Sequence, residues 1–254
     1  MKVFKSAIIG CGAIFPTHGV SIKTCPRAEL VAVCDIRPNV FDEAIAINIG
    51  IGACELPESV KRYTDYKEML AKEDIDIVII CVPTYLHAEV AIYALETGHH
   101  VLCEKPMSLR YEDCVKMCEA AKAADKKLMI GQSVRFGSAS KYIKKLIDEG
   151  TYGKPKSVLF QRKSAPPYWG WDNWYMDYSR SNGAIMDFHV HDIDFARCAF
   201  GEPDAVSCYT ADVYSGKDIV HSRLIYDGFT VMCIGDWSRE GLPFERYWQI
   251  SLEK

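Results

Sequence analysis

Apolar and polar positions over the first 130 residues fall into short β-branched runs separated by amphipathic stretches. Ser6-Ala7-Ile8-Ile9, Leu30 to Cys34, Ile75 to Val82, His100 to Cys103 and Lys127 to Gly131 are nearly continuous in apolar character. That is the pattern of strands buried on both faces. Helical spacing predicts a helix after Gly12, then helices over Tyr66 to Ala71, Tyr85 to Thr97 (closed by Gly98) and Arg110 to Ala124. Strand and helix alternating in this way define a doubly wound parallel sheet with right-handed crossovers over residues 1–130. After a helix from Ala139 to Glu149, stopped by Gly150, the pattern changes. Ser157 to Lys163, Ala205 to Val213, Ile219 to Tyr226, Thr230 to Trp237 and Arg246 to Leu252 alternate loosely, with Asp227-Gly228 a hairpin turn. One uninterrupted helix is predicted from Ala184 to Phe200. Residues 131–254 therefore read as a second, α+β domain in which a mostly antiparallel open sheet carries that helix.

Candidate chemistry gathers at the strand ends of the first domain, where ligands bind in doubly wound sheets. Gly10-Cys11-Gly12-Ala13-Ile14-Phe15 is a Gly-x-Gly-x-x-Phe turn between the first strand and its helix. The first glycine suits a tight turn, and the second lets backbone amides approach a dinucleotide pyrophosphate at the helix N-terminus. Phe15 stands where a third glycine would permit close helix–strand packing. Asp35 follows the second strand at the spacing of an acid that binds the adenosine ribose hydroxyls, which favours NAD, while Arg37 keeps NADP open. Pro83, Thr84 and His87 lie at the same edge, as do Glu104, Lys105 and Pro106. Lys105, stiffened by the proline, could hydrogen-bond a substrate hydroxyl and stabilise alkoxide character.

Between Asp187 and Asp194 five ionisable side chains fall within eight residues. A metal site is the first reading, but His189 and His191 would diverge by roughly 160° on a helix, and none is assigned. Three- and four-residue spacing aligns Asp187, His191 and Asp194 instead, and a carboxylate beside an imidazole sets its tautomer for proton transfer. The Tyr168 to Tyr175 loop holds three of the five tryptophans, among them Trp171 and Trp174. It reads equally as a hydrophobic plug or as the wall of a pocket for sugar C–H faces.

A formal net charge of -4 gives no electrostatic case for nucleic acid or an anionic membrane surface. No apolar run approaches the ~20 residues of a bilayer span. The eleven cysteines include no Cys-x-x-Cys pair, so reduced thiols and a cytoplasmic location are expected.

Gly10 to Ile14, Glu104-Lys105-Pro106, Gln132 to Phe136, Gly150 to Pro155 and Asn182 to Asp194 occur in an order that resembles the glucose-fructose oxidoreductase and inositol dehydrogenase family along essentially the whole chain. The resemblance implies an N-terminal Rossmann domain and a C-terminal α/β domain whose open antiparallel sheet often serves oligomerisation, here as a homo-oligomer. It implies hydride transfer between a hydroxyl of a sugar, inositol or related polyol and NAD or NADP. The family's lysine, aspartate and histidine correspond to Lys105, Asp187 and His191, and Arg135, Trp171, Trp174 and His189 are then expected on the substrate side. Two alternatives on the same scaffold are a glycoside-cleaving enzyme with tightly held NAD and a non-catalytic dinucleotide sensor. Asn182 replaces a glycine common in the family, and the chain ends at Lys254 where members usually continue through further strands. Full activity is therefore not taken for granted.

Overall fold

The computed structural model describes residues 2–41 and 56–254, in two compact units, Met1–Gly131 and Gln132–Lys254. The first runs β1 (Phe4–Ile9), α1 (Phe15–Thr24), β2 (Ala28–Cys34), β3 (Lys61–Tyr63), α2 (Tyr66–Lys72), β4 (Ile77–Ile80), α3 (His87–Glu96), β5 (His100–Cys103), α4 (Tyr111–Ala123) and β6 (Leu128–Ile130). All strands pair in parallel, in the order β3-β2-β1-β4-β5-β6, the dinucleotide-binding arrangement of a doubly wound sheet. Alternate side chains of a strand point to opposite faces, so Ala7, Ile9, Val78 and Ile80 enter one core while Ile8, Val33 and Ile79 enter the other. Phe15 is buried in the second core, which gives the missing third glycine a physical substitute. Strand β3 has no apolar pattern to announce it; among the described residues its Lys-Arg-Tyr segment is an edge strand paired with β2.

The second unit runs α5 (Ser138–Glu149), β7 (Pro155–Lys163), α6 (Tyr178–Ser181), α7 (Gly183–Asp187), α8 (Val190–Phe200), β8 (Ala205–Ala211), β9 (Ile219–Tyr226), β10 (Phe229–Asp236) and β11 (Glu245–Leu252). Its sheet has the order β11-β7-β10-β9-β8, antiparallel except where β10 runs parallel to β7. Phe195, Ala196 and Ala199 of α8 pack on Val158, Phe160, Leu224 and Val231, so the helix covers one face of the sheet.

The single helix expected from Ala184 to Phe200 is broken. Asn182 and Gly183 are left-handed, with φ of 57° and 63°, and the N–H groups of Phe188 and His189 both reach the Ala184 carbonyl, at 3.0 and 2.8 Å. The second of these spans five residues, a π-type turn that resets the helical phase. Its cause is His189, 1 % exposed, whose ring lies against Gly235 with Nε2 2.8 Å from Ser222 Oγ. The next residues lock the restart, because Asp192 is wholly buried and takes a two-pronged bond from Arg162 and one from the Trp248 indole.

Candidate active site

At the carboxyl edge of the first sheet, Gly10 is wedged between strand ends: its N–H donates to the Cys34 carbonyl, and its φ is +95°. Among the described residues, leaving aside its chain neighbours, nothing lies within 4 Å of where a Cβ on Gly12 would stand. Helix α1 starts at Ile14 with no side-chain cap and no acid in its first turn, and the buried Thr17 Oγ1 has no protein partner. A helix end without a capping side chain, an open approach at Gly12 and an orphan hydroxyl fit a pyrophosphate here. Asp35 sits just beyond β2, and its carboxylate receives the Cys11 N–H at 2.9 Å, the Arg37 N–H at 3.0 Å and both the Nε and Nη2 groups of Arg37 at 2.9 Å. Burial alone would raise its pKa, but the bonds from Arg37 and Cys11 outweigh that and hold it below the usual carboxylate range. The four donors use the carboxylate's full acceptor capacity, so ribose hydroxyls would have to displace Arg37.

Pro83 opens a short turn in which Thr84 is buried, and α3 begins at His87. The His87 imidazole is 1 % exposed, with Nδ1 2.8 Å from the Pro106 carbonyl and Nε2 2.9 Å from that of Val82. Burial pushes its pKa down, and a neutral ring donates its one N–H to one of the two carbonyls, according to its tautomer. His87 thus staples the ends of β4 and β5 from within and has no open side toward a cofactor. Glu104 accepts a 2.7 Å bond from His18 of α1 at Oε1 and the Lys105 N–H at Oε2. Its burial, which would raise the pKa, is overcome by His18 and Lys105, and the carboxyl is held low.

In the second unit Asp187 ends α7 and His191 lies in the first turn of α8, so the break falls between them, and both are half-buried. Asp194, expected to share their face, is instead gripped by Arg135 through Nε at 2.7 Å and Nη2 at 2.5 Å. Arg135, expected on the substrate side, is committed to that pair. His189, expected there too, lies buried against Ser222, and burial depresses its pKa to about 4. In the aromatic loop Trp174 is 7 % exposed and stacks on Tyr175, whereas Trp171 is 38 % exposed. Asp172 and Asn173 between them both have positive φ, near 50°. Among the described residues no His, Cys, Asp or Glu cluster is suited to a metal, and no helix is long and apolar enough to cross a membrane. The participant that sequence reasoning missed is His18, which lies 86 residues from its partner Glu104.

Fold and site together define a dinucleotide-binding oxidoreductase architecture, a Rossmann unit followed by an α+β unit on an open sheet. Residues 4–132 match the model of an oxidoreductase family with an NAD-binding Rossmann fold, and residues 140–248 match the GFO/IDH/MocA C-terminal domain. The chain belongs to the GFO/IDH/MocA family. It is 34% identical over 197 residues to the myo-inositol 2-dehydrogenase of Thermotoga maritima, which covers 77% of this chain and 54% of that protein. It is 35% identical over 218 residues to the inositol 2-dehydrogenase of Rhizobium meliloti, covering 84% of this chain and 59% of that one. The chain thus spans little more than half the length of these relatives. The WlbA dehydrogenase of Bordetella pertussis, solved in complex with NADH and UDP-GlcNAcA, superposes with a TM-score of 0.88 at 25% identity, over 100% of this chain and 72% of that one.

Proposed function

We propose that the protein is a dehydrogenase that moves hydride between a hydroxyl-bearing carbon of a sugar, inositol or related polyol and NAD, with NADP as the second carrier. The observation that carries this reading is Lys105 at the end of β5, on the same sheet edge as the uncapped glycine turn, in a chain that also holds Asp187 and His191 on either side of the helix break. Bound nicotinamide would supply the hydride acceptor. Gly10 to Ile14 and Asp35 bind the dinucleotide, and Pro83 and Thr84 wall its edge. His191 serves as general base with Asp187 orienting its imidazole, and Lys105 donates to a substrate oxygen and stabilises its developing charge. Trp171 lends an aromatic face to the substrate.

A second copy of the chain covers the open face of the C-terminal sheet. The row Tyr209, His221, Ile234, Gln161, Tyr247 crosses all five strands there, and its end residues Tyr209 and Tyr247 are 63% and 51% exposed. A monomer mass by light scattering would refute that part. The described cysteines are all free thiols, in keeping with a cytoplasmic enzyme.

The test of function is NADH formation from NAD across a panel of sugars and polyols. At least one should react, and Lys105→Ala or His191→Asn should lower kcat by about 10²–10⁴-fold. Wild-type turnover in either variant overturns the assignment. Protein that turns over glycosides with bound NAD and no net NADH would point to the glycoside-cleaving alternative.

A further inference from the structure

We propose that His18 is a positioning residue for Lys105: its imidazole ties the Glu104-Lys105-Pro106 turn to α1, so that seating the dinucleotide on that helix and setting the lysine become one event. The proposal rests on the dehydrogenase reading above. His18 Nε2 lies 2.7 Å from Glu104 Oε1, and the two side chains are only 14% and 19% exposed. The other carboxylate oxygen accepts the backbone N–H of Lys105 at 3.1 Å. Behind the carboxylate stands Gly131, where an added Cβ would lie 3.2 Å from Oε1 and 3.3 Å from the carboxyl carbon. The carboxylate is therefore held by α1, by the β6 terminus and by the residue it precedes.

The far end of the turn is equally fixed, since the Pro106 carbonyl meets His87 Nδ1 at 2.8 Å. The Glu104 N–H also donates to the Ile80 carbonyl at 2.9 Å, so the His18 bond ties α1 to a turn already anchored on the sheet. Helix α1 is also the element that begins at the glycine turn without a capping side chain and carries Thr17 Oγ1, which has no partner among the described residues, one residue before His18. Any ligand ordering that first turn acts on the residue that grips Glu104. Helix anchorage does not call for the pair, because Phe15 and Ile22 already bury α1 in the core. A single intramolecular hydrogen bond adds only about 0.5–1.5 kcal/mol of net stability, so what His18 and Glu104 contribute is geometry.

The experiment compares His18→Leu, His18→Gln, Glu104→Gln and the double variant His18→Leu/Glu104→Gln. NADH affinity is read by fluorescence titration, and kcat and KM are read on a reactive polyol. His18→Leu should lower kcat about tenfold or more while NADH Kd stays within about threefold, because a displaced catalytic group costs rate before it costs binding. His18→Gln should recover most of the loss, its amide N–H still reaching Glu104. The double variant should be no worse than the poorer single variant, as expected for residues acting through one bond. A second readout needs no turnover: NADH should move the His18 ring nitrogen resonances in wild-type protein and leave them unmoved in Glu104→Gln. If wild-type protein binds NADH yet oxidises no substrate, the dehydrogenase reading fails and the resonances still decide the coupling. Unchanged kcat in His18→Leu, additive losses in the double variant, or resonances indifferent to NADH would each overturn the proposal.

Discussion

The two glycines of the dinucleotide turn should fail in opposite ways when changed to alanine. At Gly10 an added Cβ would stand 2.6 Å from the Cys81 carbonyl carbon, 2.7 Å from its oxygen and 2.8 Å from the Val82 nitrogen. These are backbone atoms of the chain leaving β4, fixed by the Cys81 N–H bond to the Ile9 carbonyl, and they cannot swing aside. The residue also has a φ of +95°. A side chain in left-handed backbone costs about 1–2 kcal/mol, and forcing atoms into a packed site costs about 1–3 kcal/mol more. Gly10→Ala should therefore lose about 2–5 kcal/mol, which for a unit of this size lowers Tm by roughly 10 °C or more. At Gly12 no described residue beyond its chain neighbours comes within 4 Å of an added Cβ, so alanine should be neutral or stabilise by about 0.4–1 kcal/mol through the unfolded chain. Its methyl group would occupy the path of the pyrophosphate, however, and NADH Kd should rise at least about tenfold, or 1.4 kcal/mol. Far-UV circular dichroism must follow the unfolding, because all five tryptophans lie in the second unit and their fluorescence is blind to the first. Gly10→Ala melting with the wild type, or Gly12→Ala binding NADH with wild-type affinity, would refute the division of labour.

Arg37→Ser removes the two side-chain bonds among the four that Asp35 accepts, sparing both backbone N–H donors and exposing the carboxylate to ribose hydroxyls; preference for NAD over NADP should rise about tenfold, and an unchanged Kd ratio would contradict this. Arg162→Leu strands the wholly buried Asp192 with the Trp248 indole as its remaining donor, and urea unfolding followed by tryptophan fluorescence should show a loss of about 3–5 kcal/mol; a loss below about 1 kcal/mol would count against it. His189 has a folded pKa near 4 against an ordinary 6.5, so the unfolded chain binds its proton first and stability falls as pH drops from 6.5 toward 4, by at most about 3 kcal/mol. His189→Gln should flatten that slope, and parallel pH profiles for the two proteins would rule the cause out.

Periodicity exposes the parallel sheet because its strands are buried on both faces, and Ile77 to Ile80 could hardly be read otherwise. It is silent on β3, whose Lys61-Arg62-Tyr63 owes its extended form to hydrogen bonds from β2 rather than to burial. The glycine turn, Asp35 and Glu104-Lys105-Pro106 could be picked out as candidates because each follows directly on a strand end. What the sequence could not convey was how thoroughly that edge is wired by distant groups: His18 reaches Glu104 across 86 residues and Arg37 saturates Asp35. Nothing in the local pattern distinguishes an acid awaiting a ligand from one already filled.

The polar cluster in the second unit makes the same point more sharply. Spacing along an ideal helix groups Asp187, His191 and Asp194, and apolar positions on both sides of His189 suit one continuous helix. The helix breaks because His189 must reach Ser222, 33 residues away on β9, and because Asp192 must meet Arg162 on β7. Asp194 is drawn to Arg135. Three of the five ionisable groups are thereby engaged in folding this unit, each by a partner that no local pattern could name. The two assigned to proton transfer, Asp187 and His191, flank the break those contacts produce. The tertiary contacts of His189 and Asp192, more than helical periodicity, therefore set the spacing of the proposed acid–base pair, and substitutions at Ser222 or Arg162 should disturb proton transfer before they unfold the domain.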